Sequence, residues 1–276
     1  MINNEYGYSF ELINFDKGIF DEGIDATYVI HLKDNGRLDH IKEQLLKFRP
    51  TKVCYILINE GYKNNNKKKY IDTPDKDLRD CNFTIFKHAY EKKYNNILIH
   101  EDDFFYDEKV FINTNKYNIN KFMLENINNE FIYYLGCIPF ILNKVNNNHN
   151  KLIIGYTSHA IIYSKKIIDK LITINPETIK LVYDNFLCID PIFENIKYTY
   201  KIPLCFQLHD ITENAKDWLS LNIYFNKKDI KENLLLNVLN DIVFDINKKI
   251  MIDILKLNKE KNLKFFIETL YNLLKF

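Results

Sequence analysis

The sequence predicts an α/β fold in which a mainly parallel sheet is flanked by helices. Short apolar runs rich in β-branched and aromatic residues alternate with segments whose apolar residues recur at helical spacing. Strands that alternate with helices in this way form parallel sheets covered on both faces, with right-handed crossovers. The chain of 276 residues is 46% hydrophobic, enough for one large domain with an extension.

The first hundred residues contain three predicted strands and two predicted helices. The strands are residues 26–32, 52–59 and 96–100, and the helices are residues 38–48, closed by Pro50, and 78–93. Residues 60–77 are polar and include a lysine-asparagine run over 63–69, which predicts a mobile surface loop.

The second half predicts further strands and then a helical extension. A strand over 131–135 ends at Gly136, a polar loop spans 143–150, and strand-like residues 152–164 precede a short helix at 165–172. Residues 198–207 are extended, and Pro203 suggests a sheet edge or a strand start. We therefore expect one α/β domain over 1–228. Over 229–276 we expect two or three amphipathic helices that pack on the core or form a homodimer.

Charge and cysteine content exclude several classes of protein. Lys+Arg is 38 and Asp+Glu is 37, so no global field attracts nucleic acid or anionic membranes. A nuclease or nucleotidyltransferase would need a basic track beside its acidic residues, and the neutral charge disfavours one. The five cysteines include no CxxC pair, which predicts buried free thiols in a reducing, cytoplasmic compartment. No signal peptide and no apolar run of about 20 residues is apparent, so no membrane span is expected.

Three consecutive acids follow the third predicted strand. Glu101, Asp102 and Asp103 have no adjacent Arg or Lys in the sequence. Ligands of such sheets bind beyond the carboxyl ends of the strands, and buried carboxylates are costly unless they are paired or bound to a metal. In extended backbone Glu101 and Asp103 share one side, where they can hold Mn²⁺ or Mg²⁺. The alternative is a solvated acidic turn.

Several stretches, in order, resemble the family 25 glycosyltransferases, which include lipopolysaccharide-type and procollagen galactosyltransferase-like enzymes. Residues 97–104 (ILIHEDDF) look like the family's "ALILEDD" block, residues 133–136 (YYLG) match its "YLG", and residues 155–171 look like its "Y-ISK-GA-KLL" segment. Residues 28–32 followed by Arg37 look like its opening "VINL…R". The resemblance covers roughly residues 26–210. It departs at the family's Ser-His, where Thr84 and Ile85 stand.

This resemblance implies a GT-A fold, a UDP-sugar donor and a divalent metal held by a D-x-D-type motif. Glu101, Asp102 and Asp103 become that motif, with Asp103 as the main metal ligand and Glu101 or Asp102 supporting it or contacting the donor ribose. Such enzymes often take a later histidine or acid as a further ligand. His209 and Asp210 are the candidates here, although they also fit an exposed loop.

Inverting transfer needs a base for the acceptor hydroxyl, and two aspartates are candidates. Asp190 precedes Pro191 in an apolar stretch, where burial would raise its pKa, and we prefer it. Its alternative role is the N-cap of a helix that starts near Pro191. Asp184 fits the family's "VD" segment equally well.

The donor site is expected to draw on residues from several parts of the chain. Arg37 stands at the turn after the first strand, where its guanidinium can fork onto a diphosphate or stack on a base; a surface role is the alternative. The other candidates are His31, Asn82, Tyr156 and His159. Thr157 and Ser158, between the last two, either line the cleft or form a polar turn at a strand edge.

Together these features predict an enzyme that moves a hexose from a UDP-sugar to a hydroxyl acceptor on a glycan or protein, with inversion. The alternative is a catalytically silent relative that acts as a scaffold, which the altered Ser-His positions and the C-terminal helices motivate.

Overall fold

The computed structural model describes residues 6–208, which form an α/β protein with a mixed, partly parallel sheet flanked by helices. The strands in that range are β1 Tyr8–Asn14, β2 Ala26–Leu32, β3 Val53–Asn59, β4 Asn96–Glu101, β5 Phe104–Tyr106, β6 Ile132–Lys144, β7 His149–Ser164, β8 Lys197–Tyr200 and β9 Cys205–Gln207. The α-helices are α1 Leu38–Phe48, α2 Pro74–Glu91, α3 Asn113–Glu125, α4 Lys165–Leu171 and α5 Tyr183–Ile189.

Seven strands form the main sheet in the order β1-β3-β2-β4-β7-β6-β8, and β5 and β9 form a small antiparallel sheet. Strands β3, β2 and β4 run parallel to one another, as do β6 and β8. Strand β1 is antiparallel to β3, and β7 is antiparallel to β4, β6 and β8. The expectation of a mainly parallel sheet was therefore wrong. Consecutive strands β6 and β7 form a hairpin, which can only pair antiparallel.

Two apolar cores lie on opposite faces of this sheet. One contains the buried faces of α2, α4 and α5, and the other those of α1 and α3. Strand β4 shows the alternation that this requires, because Ile97 and Ile99 belong to the first core and Leu98 to the second. Helices thus cover both faces of the sheet, as the sequence predicted.

Helix boundaries differ from the prediction where capping residues were overlooked. Helix α2 begins at Pro74, four residues before the predicted start, because the Thr73 side chain caps it by accepting from the Lys76 N–H. A proline at the first helical position is also favourable. Helix α3 was not predicted, because its asparagine-rich sequence has weak amphipathic character.

The predicted end of a strand at Gly136 was wrong, because β6 continues to Lys144 and β7 starts at His149. Register shifts interrupt the β6–β7 ladder on either side of Gly136. A Cβ atom at this position would overlap the backbone carbonyl of Cys205. Glycine here therefore permits a close approach of two backbones and a bulge, not a chain reversal.

The lysine-asparagine segment is a loop, as predicted, but two of its lysines pair with buried carboxylates, so it is not simply a mobile surface loop. The Lys67 ammonium lies 2.7 Å from the Asp77 carboxylate at the start of α2, and their side chains are only 2% and 4% exposed. Lys68 pairs with buried Asp80 at 2.9 Å. Asn59 and Tyr8 also donate to Asp77, so the buried carboxylate is fully partnered.

The remaining predictions about the whole chain have mixed outcomes. All five cysteines are free, and four are buried; Cys137 is partly exposed. No helix within residues 6–208 is long and apolar enough to cross a membrane. The predicted boundary at residue 228, the helices over 229–276 and their homodimer lie outside the described residues.

Candidate functional site

The acidic triplet lies at the carboxyl end of β4, in the middle of the main sheet. Glu101 is the last residue of β4, and Asp102 and Asp103 form the turn that leads into β5. The turn is fixed from the other side by β9, because the Leu208 N–H donates to the Asp103 carbonyl at 2.7 Å. Both aspartates are largely buried, with side chains 12% and 4% exposed. The alternative of a solvated acidic turn is thereby excluded.

Asp102 is bound by the loop between β2 and α1. Its carboxylate accepts hydrogen bonds from the Leu32 N–H, the Asn35 side chain and the Arg37 guanidinium. Burial raises the pKa of Asp102, but the nearby His31 ring and the hydrogen bond and charge of Arg37 outweigh it, so the pKa lies below its ordinary value. Asp102 is therefore an ionised anchor that ties two loops together.

Arg37 lies in the site, but its partner differs from the one expected. Its Nη1 is 2.7 Å from Asp102 Oδ1 and 3.7 Å from Asp103 Oδ2. The acids are adjacent to no basic residue in sequence, yet the fold supplies one 65 positions away. The guanidinium still lies beside the strand end, so it contributes positive charge there while it orients Asp102.

Asp103 has a different environment from its neighbour. Gln207 of β9 donates to its Oδ2 at 2.9 Å, and its buried Oδ1 has no hydrogen-bond partner among the described residues. Burial and the charge of Asp102 raise the pKa of Asp103 to about 7. The side chain thus carries an oxygen that can accept a ligand.

Glu101 and Asp184 meet at Ser158 of β7. The Ser158 hydroxyl donates to Glu101 Oε1. Burial and the charges of Asp103 and Asp184 raise the pKa of Glu101 well above its ordinary value. Burial raises the pKa of Asp184 to about 6, an effect that hydrogen bonding to Ser158 and to the Thr157 N–H moderates and the charge of Asp75 increases.

Thr157 has a backbone conformation that threonine rarely adopts. Its φ is +73°, and its buried Oγ1 has no hydrogen-bond partner among residues 6–208. A β-branched residue in the left-handed region costs about 1–3 kcal/mol, and such residues occur at functional sites. The strain is located one residue before the Ser158 hydroxyl that links Glu101 to Asp184.

Asp190 has a structural role and does not belong to the cluster of Glu101, Ser158 and Asp184. It caps a single 3-10 turn over Pro191–Phe193, where its Oδ1 accepts from the Ile192 N–H at 3.1 Å. This is the capping role that the sequence left open. Of the two candidate bases, only Asp184 interacts with Glu101 and Ser158.

The other predicted site residues fall into four groups. His31 and His159 are buried near the acids: His31 Nδ1 is 3.7 Å from Asp102 Oδ2, and His159 Nε2 contacts the Cys205 carbonyl at 3.3 Å. Asn82 is buried in α2, where its amide donates to the Leu78 carbonyl of its own helix, so it is used internally. Tyr156 lies on β7, next to Thr157. His209 and Asp210 lie outside the described residues.

Unpartnered buried polar atoms are concentrated at this end of the sheet. Those of Asp103, Asp184, Thr157 and His31 all belong to residues of the site. Buried polar atoms in proteins are almost always satisfied, so such a concentration marks a place where a ligand completes the bonding. Sequence reasoning missed Asn35 and Gln207, which hold the two aspartates. The turn sequence Asp34–Gly36 was the only available signal for Asn35.

A scan against protein-family models finds no match, and a search of curated proteins finds none either, so the family resemblance rests on the motifs of this chain alone.

Proposed function

We propose that the chain is a metal-dependent glycosyltransferase with a GT-A-like fold that uses a UDP-sugar donor and a hydroxyl acceptor on a glycan or protein. One observation carries this proposal: Glu101 interacts electrostatically with Asp103 and Asp184 at the end of β4, and each of these two aspartates has a buried oxygen without a hydrogen-bond partner among residues 6–208. A mixed α/β sheet with its acids at a central strand end is the setting that the motif resemblance implies.

The donor set fits a hard divalent cation such as Mn²⁺ or Mg²⁺. Glu101 and Asp103 offer carboxylate oxygens, and the pKa of each is raised by burial and by other carboxylates close by. Within residues 6–208 no group of three or more acidic, histidine or cysteine ligands is assembled. Phosphate oxygens of the donor, water or residues beyond Leu208 would complete the coordination. A bound cation would neutralise charge on the departing diphosphate.

Asp184 is the proposed base, in place of the sequence preference for Asp190. Its unpartnered Oδ1 is buried, and its pKa of about 6 suits a group that must accept a proton near neutral pH. Arg37 and Asp102 hold the loop after β2 against the acids and so shape the donor side of the site.

The test combines ligand binding with hydrolysis. We expect UDP and Mn²⁺ together to raise the melting temperature of the wild-type chain, and Asp103→Asn to abolish that rise, because a ligand that binds only the folded state stabilises it. Asp16→Asn, at an exposed position, is the matched control and should keep the rise. A donor-hydrolysis screen across UDP-sugars with Mn²⁺ then identifies the sugar without a known acceptor.

The runner-up is a silent relative that serves as a scaffold. The altered Ser-His positions at Thr84 and Ile85 favour it. Nucleotide binding without hydrolysis of any donor would support this alternative, and the absence of a melting shift with every nucleotide would refute the glycosyltransferase proposal.

A further inference from the structure

Helix α5, which carries Asp184, cannot hold its position through its own residues. It has seven residues, and its N-cap position, Val182, makes no side-chain capping bond. Helices this short are unstable alone, because nucleation is costly and few internal hydrogen bonds follow. Other elements must fix it to the sheet.

Two residues in the first turns of α2 form hydrogen bonds with the start of α5. Asp75 Oδ1 accepts from the Tyr183 N–H at 3.1 Å, which satisfies an orphan donor at the helix start. Arg79, whose side chain is 2% exposed, donates to the Leu181 carbonyl at 2.9 Å. Its Nη1 also lies 3.9 Å from Asp75 Oδ2. A carboxylate at a helix N-terminus is favourable for the helix dipole as well.

The opposite end and the flank of α5 are fixed in the same manner. The buried ammonium of Lys197 donates to the carbonyls of Leu187 and Cys188 in the last turn. On the flank, the Tyr183 hydroxyl bonds the Tyr163 hydroxyl of β7 at 2.9 Å. Opposite charges from two other elements therefore cap the two ends of this helix.

We propose that Asp75 is a positioning residue: by holding the Tyr183 N–H it fixes the first turn of α5 and keeps the adjacent Asp184 beside Ser158 and Glu101. The inference rests on the proposed function, which makes Asp184 the base. Asp75 lies on α2 and acts on α5 through the Tyr183 N–H, so we expect its loss to change turnover and to leave donor binding unchanged.

The experiment compares Asp75→Ala and Asp75→Asn with the wild type. Asparagine keeps an oxygen that can accept from Tyr183, whereas alanine does not. For D75A we expect faster hydrogen exchange in the peptide that spans 182–190. We also expect a kcat for UDP-sugar hydrolysis about 10- to 100-fold lower, since small displacements of a reacting group have effects of this size. The donor KM should stay unchanged. D75N should recover most of the kcat and of the exchange protection.

Lys76→Ala is the matched control, because Lys76 lies in the same turn and only pairs with Asp72 at the surface. It should behave as the wild type does in both measurements. If D75A does not fold, Asp75→Ser, whose shorter side chain stops short of Tyr183, takes its place.

Three results would contradict the inference: unchanged exchange in α5 for D75A, a kcat equal to the wild type, or D75N as impaired as D75A. Failure of the proposed function is separately visible, because the wild type itself would then hydrolyse no donor. The exchange comparison would still decide whether Asp75 fixes α5.

Discussion

Asp102 and Asp103 are neighbours in the chain, yet their environments push their pKa values in opposite directions. Asp102 is surrounded by donors and by Arg37, while Asp103 is buried beside other carboxylates with one oxygen unpartnered. Neighbouring carboxyl groups with opposite pKa shifts have different roles. Asp102 stays ionised and holds two loops together, while Asp103 has an oxygen that can bind a ligand.

The raised pKa of Asp103 predicts that Asp103→Asn stabilises the ligand-free protein. The unfolded chain releases the proton near pH 4, but the folded protein holds it to about pH 7. The free energy of unfolding of the wild type therefore loses a contribution from this group as the pH rises from about 4 to about 7. Urea unfolding in EDTA should show that the free energy of unfolding of D103N exceeds that of the wild type by a growing amount from about pH 4 to about pH 7. Above that range the difference should stay constant.

The exposed control Asp16→Asn should show no such growing difference. If D103N is no more stable than the wild type at any pH, then burial and the charge of Asp102 do not raise the pKa of Asp103 in the folded protein.

At the scale of elements, the segment before α2 depends on a buried ion pair. Lys67 and Asp77 contact at 2.7 Å, and the Lys67 ammonium also lies 3.4 Å from the centre of the Tyr8 ring. A buried pair contributes little by itself, but removal of one partner leaves the other charge desolvated.

Lys67→Ala should therefore lower the free energy of unfolding by about 3–5 kcal/mol, the usual cost of an orphaned buried charge. Lys69→Ala, two residues further on at an exposed position, should change it by less than about 0.5 kcal/mol. Urea unfolding of both variants measures the difference. Equal values would mean that the segment is solvated, as its composition suggested.

Sequence patterns located most elements but not their partners. Strands β2, β3 and β4 were predicted well, because each is a short apolar run bounded by polar residues. Helix α5 and strand β5 were missed, since both are short and are held by contacts distant in sequence, whereas β9 lies in the segment predicted to be extended. Strands β6 and β7 were underestimated because a bulge at Gly136 resembles a strand end.

The same limit applies to the site. The acids were found because three in a row after an apolar strand is an unusual local pattern. Arg37 and Ser158 were named as candidates, but their pairing with the acids was not predicted, and Gln207 was missed, because the three come from different parts of the chain. Asp190 was preferred over Asp184 since a proline neighbour is visible in sequence, whereas proximity to Glu101 is visible only in the fold.

For the whole molecule, protonation of three buried histidines is expected to lower the stability at acid pH. Burial lowers the pKa of His88 and His149 to about 4 and that of His100 to about 3. Each forms a hydrogen bond with a tyrosine hydroxyl: His88 with Tyr28, His100 with Tyr106 and His149 with Tyr133. The three pairs lie in different parts of the sheet and its helices. The histidines are therefore neutral parts of the core at physiological pH.

A histidine with a lowered folded-state pKa is protonated first in the unfolded chain, so stability falls as the pH drops from about 6.5 to about 4. Asp103 acts in the opposite direction over that interval, and the D103N background removes its contribution. In D103N we expect His149→Gln to flatten the decline of the unfolding midpoint below pH 6.5. An identical slope with and without His149 would contradict the assignment.

The buried side chain of Lys67 also has an evolutionary consequence. The chain has 38 basic residues, of which only Arg37, Arg49 and Arg79 are arginines. A single base change turns many lysine codons into arginine codons, and at exposed positions such drift towards a GC-richer gene would be tolerated. At position 67 a planar, five-donor guanidinium would have to fit the space of a compact ammonium between Tyr8 and Asp77. We therefore expect lysine-to-arginine changes to accumulate at exposed positions and not at position 67.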